Sequence, residues 1–195
     1  MSNAPERLLR GIVIGRRPAG DGSVRVALYT DGLGLVHALA KSAREERSKL
    51  RAHLVEGTKG LFSLVRGASV WRVTGVVGSE NVYFALPGRG SAKESAARVI
   101  GVVRQFVRGE GSDPYLFSSL WEYLGALPDF SDENIELAEC TAVLKILSAL
   151  GYVRADRGIE RFLDAPYGPQ AFTAMAPVRA RVVAAINEGI AASGL

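Results

Sequence analysis

Two hydrophobic periods divide the chain. Up to about residue 78 apolar side chains recur at every second position, and from about residue 80 at every third or fourth. In Val24-Arg-Val-Ala-Leu28 one face carries Val24, Val26 and Leu28, while Arg25 and Tyr29 share the other. Ile12 and Ile14 behave alike before the turn Arg17-Pro-Ala-Gly-Asp-Gly22. Thr30-Asp-Gly-Leu33 is a second turn signal, leading into Leu33, Leu35, His37 and Leu39 on one face. Runs over 58–66 and 69–77, joined by Arg66-Gly67-Ala68, complete five short strands.

The second period predicts helices. Ser91-Ala-Lys-Glu94 reads as a capping box, followed by Ala96, Val99, Val103 and Phe106 at helical spacing and by Gly109 as a stop. Asp113-Pro114 pairs an N-cap with a proline at the first helical position, and Leu116, Leu120, Leu124 and Leu127 form a stripe ended by Pro128. Ser131-Asp-Glu opens a third helix with apolar Leu137, Cys140, Leu144 and Leu147, and Gly151 lies beyond. A last helix is expected from near Pro177, after a loop over 155–173 with at most one helical turn. The expected class is α+β. A five-stranded oligonucleotide/oligosaccharide-binding (OB) barrel covers 5–79, with a helix in its long third connection, and an all-α domain covers 80–195.

Charge adds a partner class. The net charge of +4 conceals an asymmetry: residues 1–112 carry 18 Lys and Arg against 9 Asp and Glu, residues 113–195 only 6 against 11. The excess concentrates in Lys41-Ser-Ala-Arg-Glu-Glu-Arg-Ser-Lys-Leu-Arg51, with five cationic and two acidic side chains. Such a loop on a small β-domain is an electrostatic footprint for a polyanion, most commonly a nucleic-acid backbone; a solvated loop is the plainer reading. Lys41, Arg44, Arg47, Lys49 and Arg51, with Arg16, Arg17 and Arg25 from the strands, are the expected contacts.

Other functions find little support. Apolar runs are broken by charge before 18 residues, so no membrane span is expected. The start has no apolar signal core, and Met1-Ser-Asn-Ala4 reads as an expression remnant outside the fold. The single Cys140 fits a reducing cytoplasm, and with only His37 and His53 beside it a four-ligand Cys/His zinc site cannot be assembled. No metal, cofactor or catalytic constellation is expected. His37 and Cys140 read as structural groups, Trp71 as a core residue or a base-stacking platform, and His53 as a neighbour of the basic tract.

The order Arg16-Arg17, Thr30-Asp-Gly-Leu-Gly-Leu-Val36, Ala40-Lys41-Ser-Ala-Arg44 and Ser48-Lys49-Leu-Arg51 resembles the amino-terminal domain of the RecO family of bacterial DNA-repair mediators. Leu116-Phe117 and Leu144…Leu147…Leu150-Gly151-Tyr152 are similar to the family's helical repeats. Ser42 stands where the family usually has glycine, and 152–172 lacks the four-cysteine zinc insert of many members. The resemblance implies binding of single- and double-stranded DNA and annealing of complementary strands, with no covalent chemistry. It also implies assistance, with RecR, to RecA loading on strands coated by single-strand-binding protein in the bacterial cytoplasm, associated with the nucleoid. A further implication is capture of that protein's carboxyl-terminal tail by the helical half, with Arg104 and Arg108, four apart on the first helix, as cations. Without the insert, the 152–172 loop is expected to be held by Tyr152, Phe162 and Tyr167. The alternatives are an OB-fold RNA-binding protein of translation or RNA processing, or a non-catalytic protein-docking scaffold.

Overall fold

The computed structural model describes residues 5–45, 47–154 and 156–194. Two compact units emerge: one holds the residues up to Ala85 together with Arg108–Phe117, the other Leu86–Val107 and the residues from Ser118 onward.

In the first unit, β1 (Glu6–Pro18), β2 (Val24–Thr30), β3 (Gly34–Ala40), β4 (Thr58–Arg66) and β5 (Trp71–Asn81) close into an OB-like barrel ordered β1-β2-β3-β5-β4. Neighbours are antiparallel except β3 and β5, which run parallel and pair only at Ala38–Trp71 and Leu39–Arg72. β1 is long because it serves two neighbours: 6–12 pair with β4 and 11–18 with β2. A register shift between Val13 and Gly15 bends it from one to the other. Val24, Val26 and Leu28 point inward, as their alternation predicts, and pack with Phe62, Leu64, Trp71 and Val73.

β3 departs from the expected face. Its inward residues are Val36, Ala38 and Ala40, whereas His37 is exposed. Leu35-Val-His-Ala-Leu-Ala40 is apolar in both phases, so period two alone does not choose. A five-stranded ring already holding Phe62 and Trp71 has little interior left, and the small alanines fit it. The third connection departs too: it consists of turns, with a single 3₁₀ turn at Arg51–His53 in place of a longer helix. Ala43 and Leu54, both fully buried, pin it to the barrel core, with Leu50 packed against the same cluster.

Residues 108–117 line the free stretch of β3. The Leu35 amide donates to the Gly109 carbonyl at 3.3 Å, and the Gly111 amide to Leu33 at 3.0 Å. Gly34 has φ +68°, and a Cβ there would lie 2.2 Å from the Gly111 oxygen, so close approach requires glycine. Tyr29, outward on β2, is buried with its ring 5.9 Å from Phe117. Burial, reinforced by Asp113, raises its phenol pKa well above the ordinary value.

The second unit contains α1 (Gly90–Phe106), most of α2 (Pro114–Ala126), α3 (Asp132–Ala149), α4 (Pro169–Met175) and α5 (Arg179–Ala192). α3 is central, buried on most sides and packed on α1, α4 and α5. Ser95 of α1 meets the Tyr123 hydroxyl at 2.6 Å and donates to Glu139 at 2.7 Å, and Arg98 clamps the same carboxylate with two bonds of 2.7 Å. The Asp113 cap forms as predicted, accepting from the Leu116 amide at 2.9 Å.

The capping box at Ser91 does not form. α1 starts at Gly90 behind Arg89, and the Ser91 hydroxyl turns to Asp132 at 3.4 Å. Arg89 sets that start by donating to the Leu127, Pro128 and Phe130 carbonyls and to Asp132. The loop expected over 155–173 holds a 3₁₀ turn at Glu160–Phe162 and then α4, so α5 is a separate, later helix. Phe162 is buried, Tyr152 packs edge-on to Phe106 at 5.0 Å, and Tyr167 donates to the Ser119 carbonyl at 3.0 Å.

Gly34→Ala should lower stability by about 1–3 kcal/mol through the positive φ alone, with the Gly111 clash in addition, read as a reduced urea midpoint.

Candidate nucleic-acid interface

Register assembles the cationic side chains. Arg17 of β1 lies opposite Arg25 of β2, Arg25 opposite Leu39 of β3, and Leu39 opposite Arg72 of β5. Directly opposed residues share a face, so Arg17, Arg25 and Arg72 stand in one row on the outside of the barrel, with Leu39 between the last two. Arg17 and Arg72 are exposed and Arg25 is half-buried. Arg72 was absent from the sequence expectation. Its signal was its position in opposite phase to Trp71, but only the short parallel β3–β5 pairing brings it beside β2.

The basic tract extends the row. Lys41 and Ser42 line a shallow cavity of about 450 Å³ with Arg25, Leu39 and Ser23. The Arg44 amide donates to the Gly22 carbonyl at 2.8 Å and its guanidinium to Ala19 at 3.3 Å, tying the tract to the β1–β2 turn. Ser42 has φ +50°, which explains why the resembled family favours glycine there; a serine costs about 1 kcal/mol in this conformation. Arg16 and Arg51 line another cavity of about 450 Å³, whereas Arg47 and Lys49 are exposed on the turns between. Glu46 lies outside the described residues. Among the described residues none of these eight cations, nor Arg72, forms an ion pair. Two other arginines of the barrel unit are neutralised, Arg10 by Asp31 at 3.0 Å and Arg66 by Glu110 at 2.6 Å.

Trp71 is a core residue. It is 7% exposed, its indole N–H donates to Glu110 at 3.0 Å, and the Arg66 guanidinium lies 5.0 Å from its ring centre. Arg66, then the indole, hold the Glu110 carboxyl below the usual carboxylate range. His53 Nδ1 sits 2.6 Å from the Ser79 hydroxyl, a tie between the tract and β5. Cys140 is buried, and desolvation raises its thiol pKa.

The helical unit has its own cavity of about 720 Å³, with apolar walls from Val102, Val143, Val183, Ile186 and Ile190 and with Arg104 at its edge. Arg108 does not share a helical face with Arg104: α1 ends at Phe106 and Val107 is extended. Among the described residues no group of three or more His, Cys, Asp or Glu is placed to hold a metal, and no helix is long and apolar enough to cross a membrane.

Residues 5–80 match the family model of the recombination protein O N-terminal domain. The DNA repair protein RecO of Vibrio vulnificus is 30% identical over 159 residues, covering 77% of this chain and 60% of that protein. Its namesake in Dehalococcoides mccartyi is 31% identical over 73% of this chain and 55% of the relative, and that of Yersinia enterocolitica 32% over 73% and 58%. The barrel domain belongs to the RecO family, and the likeness to RecO proteins runs through most of the chain. It spans little more than half the length of these curated RecO relatives. Their similarity extends past the barrel into the helical unit, since the matched 159 residues are about twice the span of the family model.

The opposed Arg17 and Arg25 repel when no anion lies between them. Arg17→Ala should therefore raise stability by a few tenths of a kcal/mol at low salt, a gain that disappears in high salt, measured by denaturant titration at both ionic strengths.

Proposed function

We propose that this chain is a DNA repair and recombination mediator that binds single- and double-stranded DNA through its barrel domain, residues 5–79. It anneals complementary strands and, with RecR, assists RecA loading onto strands coated by single-strand-binding protein in the bacterial cytoplasm. The supporting observation is the row of Arg17, Arg25 and Arg72, extended by Lys41 and the basic tract and without acidic partners among the described residues. Guanidinium groups in such a row engage backbone phosphates, which carry no base information, so strands of any sequence are accepted. Annealing then needs only screening of two like-charged strands, and no acid/base group enters. The relatives are named for DNA repair, which favours DNA over RNA as the ligand.

The helical domain, residues 80–195, is the proposed receptor for the tail of single-strand-binding protein. An acidic, hydrophobic terminus needs an apolar pocket beside a cation, because a desolvated carboxylate without a positive partner is costly. The cavity lined by Arg104 supplies both, with its Glu139 carboxylate already clamped by Arg98.

With about five phosphates engaged on a single strand, log affinity should fall against log salt with slope roughly −3.5, at about 0.7 per contact. Replacing Arg17, Arg25 and Arg72 by Ala should flatten that slope by about 2 and weaken all sequences alike. An unchanged slope would move the site elsewhere, and preference for RNA in direct competition would replace the DNA reading. Titrating a labelled tail peptide should show Arg104→Glu weakening it about tenfold or more, the loss expected for a hydrogen bond to a charged group; equal affinity would remove this cavity as its receptor.

A further inference from the structure

Phe84 is the most exposed large apolar side chain described, at 74%, and nothing in the fold of the barrel unit explains that exposure. An isolated exposed apolar residue is ordinary on a mobile surface, but the turn carrying this one is held firmly. Asn81 donates to the Glu56 carbonyl and to the Thr58 hydroxyl, each at 2.9 Å, and accepts from the Tyr83 amide at 3.0 Å. The Phe84 and Ala85 amides both donate to the Asn81 carbonyl at 3.1 Å. Gly57, at φ +82°, lies so near Tyr83 that a Cβ would sit 2.5 Å from its ring, so the turn packs closely on the residue before β4. The backbone that presents the ring to solvent is thus held in place.

Phe84 forms one wall of the 450 Å³ cavity that also contains Arg16 and Arg51, with Ala52 and Val55 as its apolar part and Ser48 at its edge. Among the described residues no carboxylate lines it. Arg51 belongs to the 3₁₀ turn that the His53–Ser79 contact ties to β5, so the backbone carrying the second cation is also anchored. Arg16 precedes Arg17 on β1, where successive side chains diverge: Arg16 lines this cavity while Arg17 stands in the arginine row.

From this geometry we infer that Phe84, Arg16 and Arg51 form a subsite for one unpaired nucleotide of single-stranded DNA, the base stacked on Phe84 and its flanking phosphates held by the two arginines. The inference rests on the DNA-binding reading above and deepens it: the arginine row reads backbone common to single and double strands, whereas the stacking wall requires a base that is out of the helix. A ring offers its face to any base, so the subsite distinguishes strandedness and not sequence. A base held splayed on an otherwise screened strand is also available to a complementary strand.

The test compares wild type, Phe84→Ala and Phe84→Trp for binding to an oligo-dT strand, to a duplex of equal length, and to the same strand carrying abasic sites. Phe84→Ala should weaken single-strand binding about fivefold or more, the loss typical for one stacked base, and change duplex binding less than twofold. Phe84→Trp should retain the affinity and show indole emission quenched by the intact strand but not by the duplex or the fully abasic strand. Equal affinity of Phe84→Ala and wild type for the single strand, equal losses for strand and duplex, or unquenched tryptophan emission would each overturn the subsite while leaving the arginine row standing. Quenching by an acidic hydrophobic peptide and not by DNA would reassign the cavity to a protein partner. Wild type that binds neither DNA form would instead remove the DNA-binding reading itself, and the subsite with it.

Discussion

Closure of the five-stranded ring is the constraint on which the candidate interface depends, and its narrowest point is the two-residue parallel pairing of β3 with β5. A slip of one residue there would exchange faces, sending Trp71 outward and Arg72 inward. Two contacts oppose that slip. The Trp71 indole fills the barrel interior, and its N–H, which would be costly to bury unpaired, donates to Glu110. Glu110 in turn lies on the segment that bonds along β3 through Gly109 and Gly111. The arginine row exists because a tryptophan with a satisfied N–H fixes the phase of the strand next to it.

The interface violates local rules that the rest of the chain obeys. Arg17 and Arg25 oppose each other across strands, and Asp21 and Ser42, neither of them glycine, both adopt positive φ near the β1–β2 turn. Several arginines outside this region are matched with carboxylates, among them Arg98 with Glu139, Arg89 with Asp132 and Arg181 with Asp156. Unmatched charge and left-handed backbone in one place are the kind of cost that persists where a ligand offsets it.

Alternation alone carried the strands with one polar face. In β2 the inward Val24, Val26 and Leu28 follow from the sequence, and the run over 58–66 has the bounds of β4. It failed where both phases were apolar, as in β3, because the choice there belongs to barrel volume and not to the strand. The tract of residues 41–51 was legible as charge, but its shape was not: turns pinned by Ala43 and Leu54 leave no periodic trace. Arg72 and Phe84 were invisible for a different reason. Each is an ordinary residue next to a better signal, Trp71 in one case and the end of β5 in the other. What makes them candidates is a neighbour far away in sequence, Arg25 for the first and Arg16 with Arg51 for the second. In the helical half Arg89 mattered more than the Ser91 box, since four acceptors at 127–132 outweigh one local cap.

The helical unit shows how a loop is held when the cysteines of a zinc insert are absent. Lys145 is 5% exposed on the central helix α3, where an unpartnered ammonium would be expensive, and desolvation lowers its pKa. It donates to the Ala165 carbonyl at 2.6 Å and lies 4.7 Å from the centre of the Tyr167 ring. Tyr167 passes the connection on, its hydroxyl to Ser119 and its ring to Tyr123 at 5.7 Å. A single buried cation thereby joins α3, the loop before α4, and α2. Tyr167 was expected from its aromatic bulk, but Lys145 was not, because a lysine on an apolar stripe reads as a break in the pattern. Here the break is the fastening: the charge is retained inside because a carbonyl and a ring face replace the water it lost.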